Sequence, residues 1–348
     1  MNRGQYWGIG RLKLLVGLSL CAGLLWVTAT CVLAATNLTA KPQPDRSWEN
    51  YFGTTILSSG RAIVVGDKGV VMTSDDGGRT WTRQKLKSGP KYYDLYSVAF
   101  TADGSRGWAV GDAGVIFSTD DRGASWTEQK GPPGLKSALL KVTVSDAQKF
   151  CASGEHGVLL CTTDGGSTWN LNRFHDFVFF DVTYTDPNNV WAVGEFATLL
   201  HSPDGGKTWQ VRNGGEIGQG DPLFSIAFDG QRGLAVGLIG TSLQSNDGGK
   251  TWQAHELSNG HRSLYTVSSV PSQNGEFYAA GEAGLSDLIN NGELTPVSSG
   301  VADAIAGSAF SPRFAIAVGL SGTILRSDDG GRHWRSLVSK PTLLTQAQ

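Results

Sequence analysis

The sequence has no surplus of positive charge: 29 Lys and Arg stand against 31 Asp and Glu in 348 residues. Nucleic-acid binding needs clustered basic charge to neutralise phosphates, so that class of partner is excluded. Histidine is scarce, with six copies at no metal-ligand spacing, and no Ser sits in a nucleophile elbow. No metal centre, cofactor or catalytic residue is therefore expected. Cysteine is scarcer still, at positions 21, 31, 151 and 161 only. Low-complexity linkers are missing as well, so the bulk of the chain reads as one domain.

The first 34 residues differ from the rest. Arg3, Arg11 and Lys13 stand there without any acid, and an apolar run follows over 14–35 before polarity returns at Thr36 and Asn37. That is the pattern of a signal peptide over 1–34, with cleavage expected after Ala34. The run is also long enough to stay as a membrane anchor. Cys31 invites a lipidation reading, but Thr30 before it is larger than the Gly, Ala or Ser that a lipobox wants. Without the leader, 26 basic residues face 31 acids, about five negative charges net. A leader segment, 35–46, is expected to feed a folded region over 47–340, and 341–348 reads as a loose tail.

The folded region repeats itself seven times. Each unit is anchored on a glycine, at Gly66, Gly111, Gly154, Gly194, Gly237, Gly281 and Gly319, and in six of the seven a Trp follows 15 residues later. The sixth unit has Pro296 there instead. Intervals of 38 to 45 residues mark a repeat architecture. In the second unit, alternation predicts strands over 95–100, 106–110, 115–119 and 126–129, separated by turns. Gly111-Asp112-Ala113-Gly114 is read as a tight hairpin whose glycines supply positive φ. Four short antiparallel strands per unit make a propeller blade, so the fold expected is an all-β, seven-bladed β-propeller. Residues 51–57 serve as the innermost strand of blade one, and Asp45-Arg46-Ser47-Trp48 suggests an extra outer strand that latches the ring.

The turn after the third strand carries the most specific motif, Ser/Thr-x-Asp-x-Gly-x-Ser/Thr-Trp. It centres on Asp76, Asp121, Asp164, Asp204, Asp247 and Asp329, with His333 replacing the hydroxyl in the last copy. It resembles the Asp-box, or bacterial neuraminidase repeat, found in sialidases, sortilin-like receptors and photosystem II assembly and stability factors. The chemistry read from the residues is structural. The Asp accepts backbone N–H groups of its own turn, a Gly such as Gly78 takes a φ that side chains avoid, and the Trp packs between blades.

Function is expected on the opposite rim, where hairpins between second and third strands meet the loops joining blades. The residue after the anchor glycine is acidic in five units: Asp67, Asp112, Glu155, Glu195 and Glu282. A ring of carboxylates suits a cation or a basic partner, but turn chemistry alone also selects acids there, and that explanation is preferred. The interblade loops vary more, bringing Lys85, Lys87, Lys91 and Tyr92, then Arg173 and His175, then Arg212, His261 and Arg262. Two readings stay open: a protein-docking surface, or aromatic residues (Tyr92, Phe177, Phe179) that start inner strands beside solvated bases. Cys151 and Cys161 flank the third hairpin. They are either two buried thiols or a disulfide, and a simple register pairing 151 with 160 makes a bulge necessary for the bridge.

Seven such units behind an export signal are similar to the photosystem II assembly and stability factors of cyanobacteria and chloroplasts, over about residues 48–338. The resemblance implies a non-enzymatic propeller in the periplasm or thylakoid lumen; a monomer is expected, associated with the membrane if the leader is retained. It further implies a membrane-protein partner, there the D1 reaction-centre protein. The photosynthetic members carry a lipobox and clustered arginines on later blades, whereas Arg212, Arg232, Arg262 and Arg313 stand singly here. The rival class is a sialidase-like glycoside hydrolase or a carbohydrate-binding propeller. The hydrolase needs a convergent set of arginines and carboxylates, which no departure from the repeat suggests.

Overall fold

The computed structural model describes residues 49–212, 220–255, 257, 262–271 and 275–337. The expected signal peptide, leader segment, Asp45–Trp48 latch, His261 and C-terminal tail lie outside these residues. The described chain forms seven four-stranded antiparallel sheets, each built from four consecutive strands. Blade one runs through Tyr51–Ile56, Ala62–Gly66, Val70–Ser74 and Thr82–Lys85. The other inner strands are Leu95–Phe100, Leu139–Val144, Phe179–Tyr184, Leu223–Asp229, Leu264–Ser269 and Ile305–Phe310.

Burial follows from position in the blade. Second strands such as Ala62–Gly66 and Ala315–Gly319 are buried at every residue, because each sheet is covered on both faces by its neighbours. Fourth strands are short and mostly exposed. The apolar residues fall into seven cores, each shared by two adjacent blades; one joins Ile63, Val65 and Val71 of blade one to Leu95, Val98, Ala109 and Phe117 of blade two. Every box Trp seals its own blade against the preceding one. Trp126 packs against the core that blades one and two share, and Trp252 packs on Trp191 of blade four at 5.6 Å. Burying such a side chain contributes about 2–3 kcal/mol.

Inner strands are also tied to each other. Ser97 Oγ accepts Val142 N–H at 3.2 Å, Asp181 Oδ2 accepts Ile226 N–H at 3.1 Å, and Ser225 Oγ accepts Val267 N–H at 3.2 Å. The ring closes where residues just before blade one meet the hairpin of blade seven: Gly322 N–H donates to Glu49 O and Ser321 N–H to Asn50 Oδ1.

Blade six keeps its four strands without a box. Asn290 pairs with Glu293, leaving Asn291 and Gly292 as a two-residue turn with φ of 52° and 84°. Both values are positive, as the Asn-Gly hairpin requires. The gap that a box Trp would seal is bridged from blade five: Arg232 donates to Gly275 O and to both asparagine side chains, and His255 Nε2 meets Gly292 O at 3.0 Å.

Two sequence expectations need correction. The anchor glycines are not where the hairpins turn left-handed. Gly111 is extended, with φ −168°, while Ala113 and Gly114 carry φ of 56° and 74°. Gly111 is needed because a Cβ there would lie 1.9 Å from Asp94 O; the corresponding distance is 1.9 to 2.2 Å at all seven anchors. The cysteines pair without a bulge: Glu155-His156-Gly157 form a three-residue turn, which sets Cys151 opposite Cys161, and the two are joined by a disulfide.

Candidate functional site

The two rims of the propeller are built from different chemistry. On the box rim, Asp76 Oδ1 accepts the N–H groups of Arg79 and Thr80 at 2.8 and 2.9 Å, while its Oδ2 takes the Thr80 hydroxyl at 2.7 Å. Ser74 completes the turn, donating to Asp76 and accepting Gly78 N–H at 2.7 Å. The N–H and hydroxyl four residues on recur as donors around Asp121, Asp164, Asp204 and Asp247, and Lys207 N–H adds the third bond at Asp204. At Asp329, His333 Nδ1 replaces the hydroxyl at 2.5 Å.

Those donors hold the carboxylates ionised. The hydroxyl and N–H of Ser125 bring Asp121 down to about 2, and Thr168 and Thr251 do the same for Asp164 and Asp247. Burial opposes the shift at Asp329, but the His333 bonds still leave it at about 2. A general acid needs the opposite shift, so the boxes are turn locks. The first Ser or Thr was the part that sequence reasoning undervalued. Ser202 is fully buried, donating to Asp204 and accepting Gly206 N–H at 2.7 Å. Ser202→Ala strands that N–H, and a loss of about 1–3 kcal/mol is expected in denaturant melts, with partner capture unchanged.

The opposite rim gathers the hairpins and interblade loops. Its acids are anchored rather than poised as an open ring. Asp67 Oδ2 accepts Asn50 N–H at 2.9 Å, Glu195 Oε2 accepts Val178 N–H at 3.1 Å, and Glu282 Oε2 accepts Ser263 N–H at 3.3 Å. Each carboxylate thus ties a hairpin to the chain entering its own inner strand. Burial pushes the Asp67 and Glu195 carboxyls upward despite these bonds. Asp112 and Glu155 occupy the matching positions in blades two and three. Among the described residues, no three His, Cys, Asp or Glu side chains converge to hold a metal ion.

The basic candidates lie on this rim but on separate loops. Lys85 and Lys87 both lean over the Tyr92 ring, at 5.8 and 5.0 Å, and Lys91 stands exposed beside it. Lys85 is also engaged by the buried Glu49 carboxylate at 3.3 Å, which Arg83 shares. Arg173 and His175 are exposed between blades three and four, where His175 leans on Phe177 at 5.3 Å. Arg212 reaches His201 Nδ1 at 3.3 Å, and Arg262 lies near the Asp287 carboxylate. Of the three aromatics expected to start inner strands, only Phe179 does so; Tyr92 and Phe177 remain in their loops. Tyr92 is 44% exposed and Ile239, on the blade-five hairpin, 48%. A depression of about 420 Å³ on the box side is lined by 129–133 and 166–169 and holds no carboxylate.

Solved structures share this architecture. One described as YCF48 bound to D1 peptide superposes with a TM-score of 0.65 at 21% identity, covering 80% of this chain and 93% of that one. The WD40 propeller domain of Doa1 gives 0.63 at 15% identity, with coverage of 82% and 95%. YCF48 from Cyanidioschyzon merolae gives 0.46 at 20%, with coverage of 86% and 88%. No curated protein sequence matches. The model of one family, described as photosynthesis system II assembly factor YCF48, matches residues 54–172, 172–229 and 215–343. The chain therefore belongs to the YCF48 assembly-factor family.

Proposed function

We propose that this protein is an exported, non-catalytic docking propeller that captures a membrane-protein subunit and assists assembly of its complex. One contrast supports this above all: the repeated carboxylates are occupied by their own turns, whereas the opposite rim differs blade by blade and exposes Tyr92, Ile239 and scattered bases. Exposed aromatic and aliphatic groups among cations suit a protein interface. Family membership and the D1 peptide bound to a similar propeller point to a membrane-protein segment of the photosystem II kind.

The test is capture from detergent-solubilised membranes, using mature protein whose N-terminus is expected at Ala35 by mass spectrometry. A Lys87→Glu, Lys91→Glu, Arg173→Glu triple variant should melt as the wild type does. It should capture the partner several-fold more slowly, with weaker salt dependence, because exposed rim charges steer association. Wild-type protein that retrieved no membrane subunit, or that hydrolysed sialosides at enzyme-like rates, would overturn the proposal.

A further inference from the structure

Each inner strand carries the same irregularity. Between its first and third residues the pairing with the second strand slips by one, in all seven blades. The residue skipped is Phe52, Tyr96, Leu140, Phe180, Phe224 or Tyr265 in blades one to six. Blade seven has Ala306 there. A β-bulge re-aims the side chain it inserts. The first residue of each strand, such as Leu95 or Leu223, is fully buried in an interblade core. The bulged residue belongs to none of the seven cores and is only half-buried. Instead five of the seven meet a neighbour from the next blade: Phe52 lies 5.4 Å from Tyr96, Phe180 5.1 Å from Phe224, and Phe224 5.7 Å from Tyr265.

We infer that this cuff at the channel mouth is the apolar anchor of the docking surface, and that it takes an extended apolar segment at an end of the partner chain. The inference rests on the docking role proposed above. Three observations select the occupant. No bulged position carries a charge, and the charged side chains on the adjacent inner-strand positions, Lys141 and Asp181, are already paired with each other at 3.5 Å, so a charged segment would lose its hydration with little compensation. Acids on the hairpins, loops and inner strands of this rim already accept backbone N–H groups: Asp67, Glu195 and Glu282 from their own blades, Asp94 from Lys68 at 2.9 Å, and Asp181 from Ile226 at 3.1 Å. The cuff begins where the interblade loops enter the inner strands, so it is continuous with the exposed Tyr92 and Ile239 rim. A closed ring of this kind admits the end of a chain more readily than a folded surface, and aromatic rings contribute large contact area at little entropic cost.

The probe is a fluorescein-labelled 12-residue peptide of alternating Leu and Thr, followed by anisotropy with the full mature chain. A Phe180→Ala, Phe224→Ala, Tyr265→Ala variant should bind at least about 30-fold more weakly, and a Phe180→Leu, Phe224→Leu, Tyr265→Phe variant should recover most of the loss. The triple loop variant should keep wild-type affinity in 0.5 M salt. Should the alanine variant fail to fold, benzoylphenylalanine at position 224 must crosslink the peptide, and the same group at Thr168 on the box rim must not. Loss of binding in the loop variant with full binding in the cuff variant overturns the cuff and leaves the docking role standing. So does a wild-type protein that captures a membrane subunit but ignores the peptide. Self-association of the wild type that the peptide disperses makes a second copy the occupant and overturns the inference.

Discussion

A Gly111→Ala variant is expected to melt about 5–10 °C below the wild type, one of the largest losses available to a single methyl group in this fold. The backbone at Gly111 is extended, so an alanine suffers no conformational penalty there. The loss comes from space. The added Cβ would sit 1.9 Å from Asp94 O, the same carbonyl that accepts Asp112 N–H at 2.9 Å. Relief requires moving the backbone that enters the inner strand, with its bulge and its interblade core. The contrast is Ala113→Gly in the same hairpin. Ala113 holds φ at 56°, which glycine adopts freely, so that variant should be neutral or slightly more stable. If Gly111→Ala melts with the wild type while Ala113→Gly does not, the close-approach explanation fails.

The pair also shows where sequence reasoning reached and where it stopped. Blade count, strand order and box chemistry were legible because each is repeated in phase, and repetition turns a weak local pattern into a strong one. Even blade six was readable through its strands after losing its Trp. Turn detail was not. A glycine in a hairpin is ordinarily assigned to positive φ, yet here the left-handed positions fall on Lys68, Ala113, His156, Phe196, Ile239, Ala283 and Ser321, and on the residue after each, which is the second glycine in six blades and Ala197 in blade four. Only the packed backbone reveals which glycine is spatial. The cysteine register failed for the same reason, since a three-residue turn and a two-residue turn leave similar spacing in a sequence.

The functional rim divided in the same way. Basic residues in the loops were visible, but their partners were not: the Glu49 carboxylate beside Lys85 is distant in sequence, and His201 beside Arg212 comes from another strand. The aromatic residues at the start of inner strands read as ordinary alternation, because a bulge leaves no mark in the sequence.

Replacing Asp287 by Leu is expected to stabilise the protein by about 1–3 kcal/mol at pH 7. Asp287 lies in the third strand of blade six, pairs with Ala279, and is only 1% exposed. The matching residues in the other blades are Met72, Phe117, Leu160, Leu200, Leu243 and Leu325. By alternation with Leu285 and Ile289, its side chain faces the core shared with blade five, and its Oδ2 makes no hydrogen bond among the described residues. Burial pushes its pKa up to about 6, with only the Arg262 guanidinium pulling it back. A folded-state pKa above the unfolded value of about 3.9 means that the folded protein holds the proton more tightly. Wild-type stability should therefore rise as pH falls from 7 towards 4, with Asp67 and Glu195 adding to the same slope. Below about pH 4 the trend reverses. The box carboxylates, held near 2 at Asp121, Asp164, Asp247 and Asp329, contribute stability that is lost as they protonate. Urea midpoints from pH 3 to 8 should thus peak between about 4 and 5.5 for the wild type. In Asp287→Leu the rise from pH 7 to 5 should shrink to the part owed to Asp67 and Glu195, while the acid limb stays in place. A leucine variant less stable than the wild type at pH 7, with the full pH slope retained, would show that Asp287 is held by a compensating contact and that its burial costs nothing.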